Sequence, residues 1–202
     1  MIRFVRTPRA SLARLILPVV PLLFFTNPSL AGPLADAAAS AETKAQAGDA
    51  LGAYDTMRQA LADFSSTLPL TVGKAVFVSE VPSAYGIYAE RKDTNFKPGE
   101  PLITYLELIG LTWKPATDAG KQETSFTVDF ELVNSKSEVL ASQKTFGNFN
   151  FTGFYRNQEI FTHLKLELTG AAIGDYVLRY TVSDTNSGRS TKLEQPFAII
   201  AP

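Results

Sequence analysis

The chain of 202 residues contains no cysteine and only one histidine, His163. Without cysteine it cannot form a disulfide, a thiol nucleophile, an iron–sulfur cluster or a cysteine-ligated zinc site. A single histidine cannot supply the multi-histidine sets that hold catalytic metals. Lysine and arginine number 19 against 20 acidic residues, so the chain also lacks the basic surface typical of nucleic-acid-binding proteins.

The remaining composition is that of a folded protein. Hydrophobic residues make up 45% of the chain and charged residues 19%, which excludes a disordered polyampholyte. The length allows one domain, or one domain with a small additional segment.

Residues 1–31 have the pattern of a secretory signal peptide. Four arginines and no acidic residue accompany an apolar run, Leu15–Phe25, and small residues follow before Ala31. The apolar run is about half the ~20 residues that a spanning helix needs, and two prolines interrupt it, which disfavours a membrane anchor. We expect cleavage after Ala31, with a second option after Ala37.

Export would change the charge of the chain. Removing the four arginines of the signal leaves 15 basic and 20 acidic residues, a net charge of −5. No cysteine follows the apolar run, which excludes a lipoprotein anchor. We therefore expect a periplasmic or secreted protein without a transmembrane span in its mature chain.

Residues 32–69 are predicted to form a helical hairpin. The segment 34–66 is rich in alanine and lacks proline, and its large apolar residues recur at helical spacing. We predict helices over 35–47 and 50–65, with Asp49 as the N-cap of the second helix. One longer helix, kinked near Gly48, is the alternative. The apolar stripe consists of Leu51, Tyr54, Leu61 and Phe64, with Met57 and Ala47 beside it.

This segment also resembles the second half of a tetratricopeptide-type hairpin. The resemblance covers about 20 residues and rests on Ala47, Gly48, Asp49, Ala53, Met57, Ala60 and Leu61. One such repeat cannot bury its own apolar face, so a peptide-binding superhelix is not expected. We favour a hairpin that packs on the following domain over one that docks a partner.

Residues 70–202 are predicted to form an immunoglobulin-like antiparallel β-sandwich of about 7–8 strands. Apolar and polar residues alternate along several segments, for example Phe126–Val133 and Tyr176–Ser183, as in strands with one buried face. Short strands at this density are typical of sandwiches. The predicted strands are 74–80, 85–90, 102–110, 126–133, 138–146, 163–168, 176–183 and 192–200.

Two further resemblances support this fold. Gly174–Leu178, with Tyr176 at its centre, resembles the tyrosine corner of immunoglobulin-like folds, in which a tyrosine hydroxyl binds upstream backbone. Three segments, Tyr85–Arg91, Phe96–Leu102 and Tyr105–Glu107, are similar to a group of uncharacterised exported bacterial proteins. That resemblance implies an alanine-rich helical start, one sandwich domain and export, and it implies no activity.

The sequence offers little catalytic chemistry. By parity His163 lies on the solvent-facing side of its strand, and neither a Gly-x-Ser-x-Gly motif nor a glycine-rich phosphate loop occurs. Asp129 and Glu131 lie on one strand face about 7 Å apart, a spacing that glycosidases use. The alternation places both carboxylates on the solvent-facing side of the strand, however, which favours ordinary surface charge over a catalytic pair.

The segment Asp184–Ser187 is oxygen-rich but lacks a second carboxylate, so a hairpin turn is favoured over a calcium site. We therefore predict a chain that is not an enzyme and has no cofactor and no metal site.

Six residues are candidates for partner binding: Tyr85, Tyr88, Arg91, Trp113, Tyr155 and Arg156. We expect most aromatic residues of 146–155 to fill the core or contact the hairpin, and Trp113 to be the most exposed ring. The predicted function is that of an exported binding or adaptor protein that engages a protein or a cell-envelope component. A carbohydrate-binding module using Trp113 and Tyr155, or a structural subunit of an envelope assembly, is the alternative.

Overall fold

The computed structural model describes residues 32–201, so the predicted signal peptide lies outside the described residues. The described part forms two helices and nine strands. In chain order they are α1 Pro33–Gln46, α2 Ala50–Thr67, β1 Thr71–Val78, β2 Asn95–Phe96, β3 Leu102–Ile109, β4 Lys114–Pro115, β5 Gln122–Asn134, β6 Val139–Gly153, β7 Ile160–Leu166, β8 Gly174–Asp184 and β9 Ser190–Ile199.

The helical segment is a hairpin of two helices, as predicted, and not one kinked helix. Proline is well placed at the first position of α1, where its missing N–H costs nothing. Between the helices, Gly48 adopts a φ of +82°, which glycine tolerates at a tight turn. Asp49 caps α2, because its Oδ1 accepts a hydrogen bond from the Gly52 N–H at 2.9 Å.

The large apolar residues of α2 do not pack on the β domain. Leu51, Tyr54, Met57, Leu61 and Phe64 are all exposed, which differs from the packed arrangement that we favoured. The buried residues of α2 are instead Ala62 and Ser65. Small side chains and polar contacts therefore form the junction with the β domain, and the large apolar side chains of α2 stay exposed.

The β domain contains two sheets. The smaller has the strand order β1-β3-β7, and the larger has the order β2-β9-β8-β5, with β4 and β6 both paired to β5. All pairings are antiparallel except the short pairing of β2 with β9. The larger sheet is curled in the manner of a half-barrel. The prediction of a mainly β chain with two helices and antiparallel sheets is confirmed.

Both sheets contribute to one hydrophobic core, as the alternating patterns predict. In the larger sheet the inward residues are Phe126, Val128, Phe130 and Leu132 of β5 and Tyr176, Leu178, Tyr180 and Val182 of β8. In the smaller sheet they include Phe77, Leu102, Leu106, Leu108, Ile160 and Leu164. Each large buried side chain contributes about 1.5–3 kcal/mol, so this core can stabilise a chain that has no disulfide.

Segment 85–90, predicted as a strand, forms a turn. Gly86 has a φ of +68°, and the N–H of Ser83 donates to the carbonyl of Ile87 at 3.2 Å. Only the end of the segment pairs with β1, through an isolated antiparallel bridge between Val78 and Glu90. The turn covers the outer face of the smaller sheet, where Val78, Ile103 and Tyr105 form a second buried cluster.

Strand β6 continues well past its predicted end at residue 146, because its pairing with β5 resumes beyond a bulge opposite Asp129. Thr145 lies in this bulge with a φ of +51°, and its N–H donates to Asp129 Oδ1 at 2.8 Å. The pairing register of the β5–β6 hairpin therefore shifts at the bulge, from Phe130 opposite Gln143 to Val128 opposite Gly147, and regular pairing continues on both sides.

A buried carboxylate connects the turn after β8 to the segment after β3. Asp184 is 1% exposed and accepts hydrogen bonds from the Thr112 N–H at 2.9 Å, the Asn186 N–H at 2.9 Å and the Ser187 hydroxyl at 2.7 Å. Burial alone would raise the pKa of Asp184, but these hydrogen bonds outweigh it and lower the pKa. The carboxylate faces donors, which is the arrangement of a turn and not of a calcium site.

Arg189 extends this network to the end of the helical hairpin. Its guanidinium donates to the carbonyl of Leu68 at 2.7 Å, to the carbonyl of Gly110 at 2.6 Å and to the Thr112 hydroxyl at 2.8 Å. Gly110 has a φ of +80°, and a Cβ atom there would lie 2.5 Å from the carbonyl oxygen of Pro69. The chain after α2 and the chain after β3 therefore meet at a contact that only glycine allows.

We expect Asp184→Asn to lower the free energy of unfolding by about 2–3 kcal/mol, because the amide cannot accept every hydrogen bond that the carboxylate accepts. The lowered pKa adds a pH dependence. The contribution of Asp184 to the free energy of unfolding is fully present above the pKa of an aspartate in the unfolded chain, about 4. It is lost as the pH falls through the lower pKa that Asp184 has in the folded protein. Urea unfolding of both proteins between pH 3 and pH 7 measures this, with the exposed Asp118→Asn as control. Equal stability of the two variants at neutral pH would contradict the prediction.

Candidate functional site

Three of the six candidate residues, Trp113, Tyr155 and Arg156, line one cleft between α2 and the β domain. The cleft has a volume of about 450 Å³, which lies within the range of small-ligand sites. The remaining lining residues are Arg58, Gln59, Ala62, Gln122 and Phe154. Residues from four separate parts of the chain thus meet at this position.

The β domain supplies one side of the cleft. Trp113 precedes β4 and packs against the main core, so it is partly buried. The expectation that Trp113 is the most exposed ring is therefore wrong, because its ring packs against the core while Phe154 and Tyr155 stay exposed. Phe154 and Tyr155 lie just after the end of β6, and both rings are exposed.

Helix α2 supplies the other side through two contacts. The guanidinium carbon of Arg58 lies 3.4 Å from the centroid of the Tyr155 ring, a cation–π geometry. Arg156 Nη2 donates to Asp63 Oδ1 at 2.6 Å. This hydrogen bond is the main reason why the pKa of Asp63 is lowered. Both contacts are solvent-accessible, so each contributes on the order of 1 kcal/mol or less.

The chemistry of the cleft suits binding. Its lining residues provide two guanidinium groups, two carboxamides and three aromatic rings, and they include no histidine, serine or carboxylate. Carboxamides and guanidinium groups donate hydrogen bonds to oxygen-rich ligands, and aromatic faces pack against apolar or sugar surfaces.

Tyr85 and Tyr88 lie elsewhere, in the turn over the outer face of the smaller sheet. The Tyr88 ring stacks on the Tyr105 ring with 4.2 Å between centroids. The Tyr105 hydroxyl accepts from the Gly86 N–H at 2.8 Å and donates to Glu107 Oε1 at 2.6 Å. Burial is the main cause that raises the pKa of Tyr105 and that of the half-buried Tyr85, and the nearby Glu107 carboxylate raises both further. These tyrosines hold the turn on the sheet.

Arg91 makes internal contacts on each side of its guanidinium group. Nη1 donates to Glu100 Oε1 at 2.6 Å, Nη2 donates to the carbonyl of Asn95 at 2.7 Å, and the guanidinium carbon lies 4.2 Å from the Phe96 ring centroid. The N–H of Lys97 and then Arg91 lower the pKa of Glu100. Arg91 thus stabilises the loop that leads into β3.

The phenylalanines of β6 belong to the core. Phe146 contacts Phe130 edge-on at 4.8 Å between centroids, and Phe149 stacks on Phe126 at 5.0 Å. Phe151 also packs against Phe126. Tyr155 contacts the hairpin instead. The interpretation that these rings fill the core or contact the hairpin is therefore confirmed, with the exposed Phe154 as the exception.

The paired carboxylates of β5 do not have the properties of a hydrolytic pair. Asp129 accepts a hydrogen bond from Lys144 Nζ at 2.8 Å and another from the Thr145 N–H, and these two bonds lower its pKa. A general acid needs a raised pKa. His163, predicted to face solvent, is half-buried and lies opposite Tyr105 in the pairing of β3 with β7.

Residues 32–201 meet neither the requirements of a membrane-spanning helix nor those of a metal-binding cluster. No helix in this range is long and apolar enough to cross a membrane. Nor does any group of three or more histidine, aspartate or glutamate side chains in this range come close enough together to hold a metal ion.

Comparison with known proteins gives little guidance. No family model matches the chain, and no curated protein matches it. Among solved structures, a family 123 glycoside hydrolase from Clostridium perfringens is 10% identical over 67% of this chain and 28% of its own length, with a TM-score of 0.41. The alkylpurine DNA glycosylase AlkC of Pseudomonas fluorescens is 11% identical over 80% of this chain and 41% of its own, with a TM-score of 0.33. The chain thus spans less than half of either structure, and likenesses this distant carry no argument about function.

Sequence reasoning missed the contribution of α2 to the cleft. Arg58 and Gln59 line it, yet neither belongs to a motif. A possible signal was the position of Arg58 beside the apolar stripe, on the side of the helix that carries Ala62 and Ser65. Nothing in the sequence linked that position to Tyr155.

The contact between Arg58 and Tyr155 predicts that removal of the Tyr155 ring destabilises α2, whereas removal of the neighbouring Phe154 ring does not. We expect Tyr155→Ala to lower the free energy of unfolding by about 0.5–1 kcal/mol and to speed amide hydrogen exchange in α2, because a cation–π contact at an exposed site is lost. Phe154→Ala is the matched control, since Phe154 is also exposed and its ring faces Lys121 of the β domain. Equal exchange rates in α2 for the two variants would show that Tyr155 does not stabilise the helix.

Proposed function

We propose that this protein is an exported, non-enzymatic binding protein that engages a protein or a cell-envelope component at the cleft between α2 and the β domain. The observation that carries the proposal is that Trp113, Tyr155 and Arg156, each selected as a binding residue from sequence, line the same cleft. The cleft also brings the helical hairpin together with the aromatic residues that follow β6.

The exposed ring of Phe154 supports the position of this surface. An exposed phenylalanine beside a tyrosine and two arginines has the composition of interface centres, which are enriched in aromatic residues and arginine. The Tyr85–Arg91 segment stays a second predicted surface. Its tyrosines and its arginine already make internal contacts, which makes it the less favoured of the two.

We further propose that the β domain is an immunoglobulin-like sandwich. The smaller sheet contains β1, β3 and β7, and the larger contains β5, β8 and β9, which is the division of strands expected for that fold. The Tyr176 hydroxyl donates to the carbonyl of Ala172 at 2.8 Å, as a tyrosine corner requires. Export rests on the signal-like pattern of residues 1–31.

Site-specific photo-cross-linking in intact cells tests the proposed surface. With a photoreactive residue in place of Phe154, we expect capture of one partner at a reproducible ratio. The same residue in place of Val139, which is exposed on β6 away from the cleft, should capture little. Adding Tyr155→Ala should reduce capture at position 154 several-fold, because the partner loses an aromatic contact. Equal capture at the two positions, or capture unaffected by Tyr155→Ala, would contradict the proposal.

A carbohydrate-binding module is the second candidate function. It is favoured by one observation, that the two aromatic residues selected for glycan binding, Trp113 and Tyr155, line the same cleft with two carboxamides. Sugars pack their apolar faces on aromatic rings and accept or donate hydrogen bonds at their hydroxyls.

The single tryptophan allows a direct test of this second function. If glycans bind in the cleft, soluble glycans should quench or shift the fluorescence of Trp113, and Gln122→Ala should weaken that response at least several-fold. Titration of a glycan panel against the wild-type protein and the variant measures this. A flat response across the panel would remove the carbohydrate-binding function and leave the protein-binding proposal untouched.

A further inference from the structure

The two arginines of the cleft share one property, which is that each already binds a carboxylate of α2. Arg58 Nη2 donates to Asp55 Oδ1 at 2.9 Å, and Arg156 Nη2 donates to Asp63 Oδ1 at 2.6 Å. Both carboxylates line the groove between α1 and α2, and neither lines the cleft. The guanidinium groups are therefore held by α2 while they border the cleft.

The cleft offers more hydrogen-bond donors than acceptors. A guanidinium group is always charged and has five N–H donors. Within the described part of the chain, the Nη2 atoms of Arg58 and Arg156 are the nitrogens that donate a hydrogen bond. The indole N–H of Trp113 and two side-chain amides add further donors. None of the described residues that line the cleft carries a negative charge, so a ligand that matches the cleft must supply acceptors.

Both guanidinium groups remain accessible to such a ligand. The Tyr155 ring covers one face of Arg58, with 3.4 Å between the guanidinium carbon and the ring centroid. The N–H groups of a guanidinium lie in its plane, so a ring on its face leaves them open. The side chain of Arg58 is 25% exposed and that of Arg156 is 21% exposed. Partial burial of this degree strengthens a charge-assisted hydrogen bond relative to one in open water.

The two internal ion pairs show which kind of group suits these arginines. The oxygens of a carboxylate match the planar fork of a guanidinium. The side chains of Asp55 and Asp63 are 47% and 61% exposed, and ion pairs at exposed sites are weak. A carboxylate of another molecule can therefore bind at either guanidinium without a large loss. The negative charge of Asp63 opposes it at Arg156, because like charges repel at this distance.

The surroundings favour a protein segment over a membrane surface as the source of this carboxylate. Without the four arginines of residues 1–31, the chain has 15 basic and 20 acidic residues, so an anionic lipid surface repels it. Lipid-binding proteins instead carry clusters of basic residues. The cleft, at about 450 Å³, is larger than one carboxylate group. The exposed rings of Phe154 and Tyr155 offer the remaining surface to apolar side chains.

We propose that the partner of this cleft is a protein segment that carries a carboxylate beside apolar side chains, and that Arg58 and Arg156 bind that carboxylate. Asp63 competes with the partner as an internal ligand of Arg156. This inference rests on the proposed binding function, because it specifies the chemistry of the partner at the same cleft.

Titration of the protein with short peptides tests the class of ligand. The chain has one tryptophan, Trp113, and it lines the cleft, so its fluorescence reports binding there. We expect a capped hexapeptide of alternating glutamate and leucine to change this fluorescence. The same peptide with glutamine in place of glutamate should bind at least several-fold more weakly, and added salt should weaken the acidic peptide selectively. Equal binding of the two peptides would overturn the proposal.

Substitutions on both sides of the ion pairs test the roles of the individual residues. Arg58→Gln and Arg156→Gln should each weaken binding of the acidic peptide several-fold, and Asp63→Asn should strengthen it several-fold. The matched controls are Arg179→Gln and Glu194→Gln, because this exposed pair in the β domain has the same chemistry, with 2.6 Å between Nε and Oε1. Circular dichroism establishes that all variants are folded. An affinity of Asp63→Asn no higher than that of the wild type would show that Asp63 does not compete.

Photo-cross-linking from position 154 separates failure of this inference from failure of the proposed function. If the double variant Arg58→Gln/Arg156→Gln captures the partner as well as the wild type does, the acidic segment is wrong and the binding function stands. If the wild type captures no specific partner while the acidic peptide binds the cleft, the binding function is wrong and the ligand chemistry stands. Binding of oligogalacturonate or of phosphatidylglycerol vesicles, with none of the acidic peptide, would overturn the assignment to a protein segment.

Discussion

The structure depends on the buried carboxylate of Asp184 and its neighbour Arg189, whose side chains approach within 3.8 Å. A carboxylate removed from water must accept hydrogen bonds from several donors, and here those donors are the backbone before β4 and the turn after β8. Arg189 then fixes the carbonyl groups of Leu68 and Gly110. One polar network therefore sets the relative positions of the helical hairpin, the smaller sheet and the larger sheet. Because the chain has no cysteine, no disulfide can take this role.

The position of the cleft follows from that network. Once the chain at Leu68 is fixed, α2 extends past the end of β6, and its contacts with Tyr155 and Arg156 complete a junction made of polar and small groups. Because large apolar side chains take no part in this junction, the stripe of α2 stays free. The hairpin thus contributes to a polar, aromatic cleft and also keeps several large apolar side chains exposed.

Much of the fold could be predicted because local patterns decide it. Alternation identifies Phe126–Val133 and Tyr176–Ser183 as strands, and Asp49 identifies the start of α2. The pattern could not show that segment 85–90 forms a turn, since that depends on the positive φ of Gly86 and on support from Tyr105. Nor could it show what covers an amphipathic face or which rings line the cleft. The contact of Arg58 with Tyr155 joins distant parts of the chain, and long-range contacts of this kind leave no periodic signal.

The parallel pairing of β2 with β9 has a consequence for the order in which the chain can fold. Phe96, at the end of β2, is fully buried, and its ring meets those of Phe77 and Phe197 at 5.1 and 5.9 Å between centroids. Because β9 follows every other described strand, the contact of Phe96 with Phe197 cannot form before β9 has been synthesised. Until then Phe96 lacks the part of its cover that β9 supplies, and apolar surface left uncovered in this way favours association with other chains. Strand β9, the only described strand that pairs with β2, therefore completes the core around Phe96.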